Sequence, residues 1–301
     1  MKARAPAVAA ATIPFLLLAL HALVPAARAD VVYEQRITSS GPTGMGPTAA
    51  TNKVYVKSGR ERTEMTVEAP GSGQAPATAS ELISITRLDR KLIWYLDPEK
   101  KVYSETTFAE LQKAFAAPGR EQAEGAAASE VQVENPGRND VICGAPAEQV
   151  ILTIASPLTD PALRGASQYI VAELWMATDF PGAAELATHT QEIVDTAGFA
   201  HMGGPAGAGN PFGHLIQRLA EEMKKLDGTA IRTVLSLEID AQAGVAGLVS
   251  PAPAHGEGRQ VILSMTTEMT KIESKEVPAE LFDIPAGYVK VELPGAGNKP
   301  N

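Results

Sequence analysis

TAIRTVLSLEID, residues Thr229–Asp240, carries the pattern on which the fold turns. Ile231, Thr233, Leu235, Leu237 and Ile239 alternate with Arg232, Ser236, Glu238 and Asp240, with Val234 the exception. A period of two sends successive side chains to opposite faces, so the segment reads as a strand with one buried and one wet face, the pattern of antiparallel sheets. Residues 259–274 repeat the alternation with Val261, Leu263, Met265 and Met269. Immediately before Thr229 the period changes. In residues 210–228 (NPFGHLIQRLAEEMKKLDG) Phe212, Leu215, Ile216, Leu219, Met223 and Leu226 recur at helical spacing. Asn210 suits the N-cap, Pro211 the first turn and Gly228 the stop, and Lys224 and Lys225 complement the helix dipole in the last turn. A helix this short is marginal alone, so it is expected to lie on a sheet.

Further out, strand follows strand. Residues 31–37, two halves of 52–67 broken at Ser58-Gly59, and a meander over 81–88, 91–96 and 101–106 fill the first third. Strand signals resume at 130–134, 140–143, 148–154 and 169–178, while 107–117 and 183–196 read as short helices. Gly/Pro/Ala-rich stretches at 39–51, 70–80, 118–129, 198–209 and 241–258 separate them, and 294–301 reads as a disordered tail. About ten strands with two or three helices and hardly any βαβ alternation indicate an antiparallel α+β domain spanning 30–293.

The N-terminus stands apart. Lys2 and Arg4, an apolar core over 13–20, and Ala27-Arg28-Ala29 form a signal-peptide pattern with cleavage expected before Asp30, hence a periplasmic or secreted protein. The apolar run is too short for a spanning helix, so no stable membrane span is expected after cleavage. Loss of Lys2, Arg4 and Arg28 with no acidic residue would move the formal charge from −9 to −12. Such an acidic chain is not expected to bind nucleic acid through charge. Cys143 is the single cysteine, so no intramolecular disulfide can form and the fold must rest on an apolar core.

Several local motifs carry a resemblance. They are Lys57-Ser58-Gly59-Arg60-Glu61-Arg62, Ile85-Thr86-Arg87-Leu88-Asp89, Trp94-Tyr95-Leu96-Asp97-Pro98, Lys101-Val102-Tyr103 and Cys143-Gly144-Ala145-Pro146-Ala147-Glu148. Glu173-Leu174-Trp175-Met176-Ala177 follows, and the most specific is Val277-Pro278-Ala279-Glu280-Leu281-Phe282-Asp283-Ile284-Pro285-Ala286-Gly287-Tyr288. In this order they resemble a family of exported bacterial proteins of unknown function, similar in fold to the periplasmic lipoprotein carriers and receptors. The resemblance implies a strongly curved antiparallel sheet, an open half-barrel with helices against its concave face, which in the carriers encloses a cavity for acyl chains. The Gly/Pro-rich insertions and the acidic charge depart from the carriers, so the cargo does not transfer.

Catalytic signatures are missing. There is no Gly-x-Ser-x-Gly elbow, no phosphate loop and no His-Glu-x-x-His. His201-Met202 with His214 and Met223 has the donor types of a soft-metal site, but reads more simply as a loop residue, a helix-start histidine and a core methionine. Cys143, after Val141-Ile142, reads as a buried inert thiol. Arg60 and Arg62 on one strand face suit either an anionic headgroup or a paired solvated face. No metal, cofactor or catalytic residue is therefore expected. The expected function is non-enzymatic binding of an apolar or amphiphilic ligand, a lipid or lipoprotein acyl chain, between sheet and helix. Leu215, Leu219, Met223, Leu235, Leu237 and Leu263 would line the site. The rival expectation is an envelope protein–protein interaction module with a filled core.

Overall fold

The computed structural model describes residues 30–41, 48–68, 79–115, 130–158, 165–197, 218–219, 221–241 and 254–292. In chain order these form β1 (Val31–Ser40), β2 (Thr48–Lys57), β3 (Arg60–Glu68), β4 (Ala79–Arg87), β5 (Leu92–Asp97), β6 (Val102–Thr107), α1 (Phe108–Phe115), β7 (Glu130–Glu134) and β8 (Asn139–Ile142). They continue with β9 (Ala145–Pro157), β10 (Ser167–Ala177), α2 (Ala183–Ala197), β11 (Thr229–Asp240), β12 (Arg259–Ser274), a 3-10 turn at Ala279–Phe282 and β13 (Val289–Lys290). All strands join one open 13-stranded sheet in the order β13-β6-β5-β4-β3-β2-β1-β12-β11-β10-β9-β7, with β8 also paired to β9. Every ladder is antiparallel except β13 on β6. The sheet thus has more strands than the expected ten, and the described helices are a smaller part of the fold than expected. The signal segment and the tail lie outside the described residues.

Tight turns explain the meanders. Ser58 and Gly59 at the β2–β3 corner both have positive φ (47° and 71°), as do Cys143 and Gly144 between β8 and β9 (52° and 80°). Two consecutive left-handed residues twist a two-residue hairpin to match its strands. Register then sorts side chains by face. Across Val31–Val56–Glu61–Thr86–Ile93 a single row runs from β1 to β5. Both helices lie over it. Leu186 of α2 packs with Val31 and Val56, and Phe108 and Leu111 of α1 pack with Ile93.

The opposite face is covered by the C-terminal strap, residues 277–288. Phe282 is fully buried among Val32, Ile85, Trp94 and Leu96. Burial on this scale supplies apolar contact but leaves strap carbonyls needing donors. Cations from the sheet provide them. Lys57 Nζ donates to Val277 O at 2.7 Å, Arg62 Nη1 to Leu281 O at 3.2 Å and Arg87 Nη1 to Phe282 O at 3.1 Å. Asp30 accepts from both Lys57 Nζ (2.6 Å) and the Val277 N–H (2.7 Å). Arg62 is therefore neither a headgroup site nor a solvated strand residue. It is buried and holds the strap, with Glu64 Oε1 at 2.8 Å from its Nε.

Candidate ligand-binding face

The first half of the helix expected over 210–228, residues 210–217 with Leu215, and residue 220 lie outside the described residues. Residues 218–219 and 221–223 are helical, whereas 224–228 form a turn, so the helix ends before Lys224 and not at Gly228; Leu219 is 7% exposed. Leu219 packs on Leu152, Ile154, Ile170, Ala172 and Leu174, with Met223, Leu226, Leu235 and Leu237 against the same cluster. Arg218 and Lys225 bracket Glu222 at 3.1 and 2.7 Å, while Lys224 reaches Asp195 of α2 at 3.4 Å. So Leu219, Met223, Leu235 and Leu237 come together in one packed cluster. Leu263 is opposite Leu237 in the ladder, on the same face, yet is 45% exposed and outside the cluster.

That face continues past the helical segment. One row runs Ser39–Met265–Leu235–Ala172–Leu152–Val133, and the next Val67–Ala50–Ile37–Thr267–Thr233–Leu174. A third runs Leu82–Met65–Asn52–Gln35–Met269. Leu82 on β4 is 52% exposed, and on β12 Met265, next to Leu263 on the same face, is 36% exposed. Monomers seldom leave adjoining large apolar side chains open without a use. The alternate residues of the same strands, which point the other way, include Glu34, Arg36, Lys53, Glu64, Glu81 and Glu268.

Beneath α2 the same face turns polar. His189 is buried with Nε2 at 3.2 Å from Glu61 Oε2, and Thr63 donates to Glu61 Oε1 at 3.3 Å. Burial, with help from Glu61, pushes the Tyr33 phenol well above its usual pKa. On the strap-bearing face a second cluster pins the turn that leads into β12. His255 Nδ1 lies 2.5 Å from Glu238 Oε1, and Nε2 lies 2.7 Å from Glu173 Oε1. Gln149 donates to Glu173 Oε2, and Arg259 stacks on Tyr169 with 3.7 Å to the ring centroid. Its hydrogen bonds to Glu173 and Glu238 raise the His255 pKa to about 9. Sequence reasoning missed both clusters; the signal for the second was Glu238 in mid-strand at a wet position.

Cys143 sits in the β8–β9 hairpin turn, not in a strand, and is half-buried. Burial pushes its thiol pKa up, away from nucleophile chemistry. An open pocket of about 580 Å³ lies beside it, lined by Gly144, Ala145, Asp179, Phe180, Pro181 and Ile272. Among the described residues no group of His, Cys, Asp and Glu is arranged to hold a metal, and no helix is long and apolar enough to cross a membrane. His201, Met202 and His214 lie outside the described residues.

Comparison with known proteins gives one family. The profile described as "Domain of unknown function (DUF4412)" matches residues 42–288. No curated protein matches the chain. Among solved structures, a putative outer membrane lipoprotein-sorting protein domain from Vibrio parahaemolyticus is similar at 8% identity, with 85% of this chain and 89% of that one covered and a TM-score of 0.27. A β-barrel-like protein of the family DUF1849 from Brucella abortus is similar at 8% identity, with 82% and 100% covered and a TM-score of 0.22.

Proposed function

The chain belongs to the DUF4412 family, and from that premise we propose that it is a non-enzymatic periplasmic or secreted protein that binds an apolar or amphiphilic ligand, such as a lipid or acyl chain. In this reading the open 13-stranded sheet acts as a half-barrel whose concave side is the helix-bearing face. The observation that carries this reading is the exposure of Leu82, Leu263 and Met265 on the same face as α1, α2 and Leu219. Burying large apolar side chains is worth about 2 kcal/mol each, so a ligand covering three of them gains several kcal/mol. Organic extraction of the purified protein followed by mass spectrometry tests it. A co-purified lipid at near-stoichiometric level is expected, and its absence removes the reading.

A second reading, an envelope protein–protein module, is favoured by the direct packing of Leu219 on the sheet, which leaves that part of the interface filled. A pull-down returning one stoichiometric protein partner, with no lipid in the extract, would select it.

A further inference from the structure

We infer that the helix-bearing face takes an uncharged amphiphile, seated on β12-β1-β2-β3-β4 beside the packed helical segment, with Asn52 as its polar anchor. The inference rests on the proposed reading of this face as a ligand site, and adds where the ligand lies and what it is. Three features support it.

The first is charge. A fifth of the chain is charged and its formal charge is −9. Yet the rows through Val67, Met265 and Leu263, followed across the sheet to β9 or β7, and the Leu82 row as far as Met269, contain no Asp, Glu, Lys or Arg among the described positions. The neighbouring positions on the opposite face are rich in all four. Open rows without a cation, on an acidic protein, offer no partner to a carboxylate or phosphate, and desolvating such a group there is unfavourable. It is well matched to a neutral molecule.

The second is position. Leu219 fills the surface over β9 and β10, so the open area begins at β11 and β12, where Leu263 and Met265 are exposed, and ends at Leu82 on β4. Four strand spacings separate β12 from β4, about 19 Å of sheet. That width accepts a long acyl chain laid across the strands.

The third is the polar anchor. Asn52, in the row Leu82–Met65–Asn52–Gln35, has a buried Oδ1 with no hydrogen-bond partner. An unsatisfied buried acceptor costs about 1–3 kcal/mol, so a ligand hydroxyl donating to it restores what the fold leaves unpaired.

The test uses the full chain and the uncharged dye N-phenyl-1-naphthylamine, displaced by 1-monopalmitoylglycerol or by palmitate. Saturable dye fluorescence is expected, with the neutral glyceride displacing the dye at a concentration about tenfold below palmitate. Leu82→Asp and Met265→Asp, at sites 52% and 36% exposed, should each weaken dye binding about tenfold. Val141→Asp, on β8 and 69% exposed, should leave it unchanged. Equal or better displacement by palmitate, or dye binding indifferent to Leu82→Asp and Met265→Asp, overturns the inference while leaving a ligand site elsewhere. Dye that binds nowhere, with a sedimenting dimer that Leu82→Asp dissociates, assigns the face to a second copy and overturns it too. If neither dye nor self-association is seen, the ligand-binding reading itself falls.

Discussion

At the residue scale the sharpest claims concern His255. Glu173 first, and then Glu238, hydrogen-bond its ring and raise its pKa to about 9, against the desolvation that lowers it. A histidine whose folded pKa lies above its ordinary 6.5 contributes stability that is complete below about pH 6.5 and is lost as pH rises through 9. The melting temperature of the protein should therefore fall between pH 7 and pH 10 by more than that of His255→Gln, in which this loss is absent. Parallel curves for the two proteins would contradict the assignment. Glu238 is fully buried; burial works against its charge, but the His255 side chain and backbone N–H hold its carboxyl below the usual pKa. Glu238→Ala removes one of the two carboxylates that hold the imidazolium, leaving Glu173, and should cost about 3 kcal/mol in urea unfolding, well beyond a typical surface change. An effect within about 0.5 kcal/mol would show that the cluster is decorative.

At the scale of elements, the strap and the strands differ in how far sequence reveals them. Alternation in Thr229–Asp240 identifies the strand and its two faces without any partner, because pleat and period are local. It does not reveal the slip between Trp175 and Met176, which leaves Ile231 outside the ladder and sends it to the cluster around Val31 and Tyr33. Nor does it say which part of an apolar face is covered. Leu219 is buried and Leu263 open although both read as apolar stripe residues, because coverage depends on where a helix from elsewhere in the chain comes to rest. The strap is the extreme case. Its residues 277–288 are legible as a motif, but its role needs Arg62 and Arg87 as hydrogen-bond donors to the Leu281 and Phe282 carbonyls, 219 and 195 residues further along the chain. Phe282→Ala should cost about 3–5 kcal/mol, the range for truncating a buried phenylalanine. A loss under about 1 kcal/mol in denaturant unfolding would mean the strap is not part of the cooperative fold.

At the scale of the whole molecule, one sheet carries two unlike surfaces. The strap-bearing face is laced with ion pairs such as Arg232 with Glu268 at 2.5 Å and Asp140 at 2.8 Å. The helix-bearing face is uncharged along its open rows and ends in exposed Leu82, Leu263 and Met265. That asymmetry is the central claim, and methionine methyl groups report on it directly. Met65 and Met265 sit in the open rows, whereas Met176 packs at the far end of β10 with the cluster under Leu219. In protein labelled with ¹³C at the methionine methyls, titration with 1-monopalmitoylglycerol should shift the Met65 and Met265 resonances and leave Met176 in place. Unmoved Met65 and Met265 signals at saturating glyceride, or shifts confined to Met176, would contradict the account.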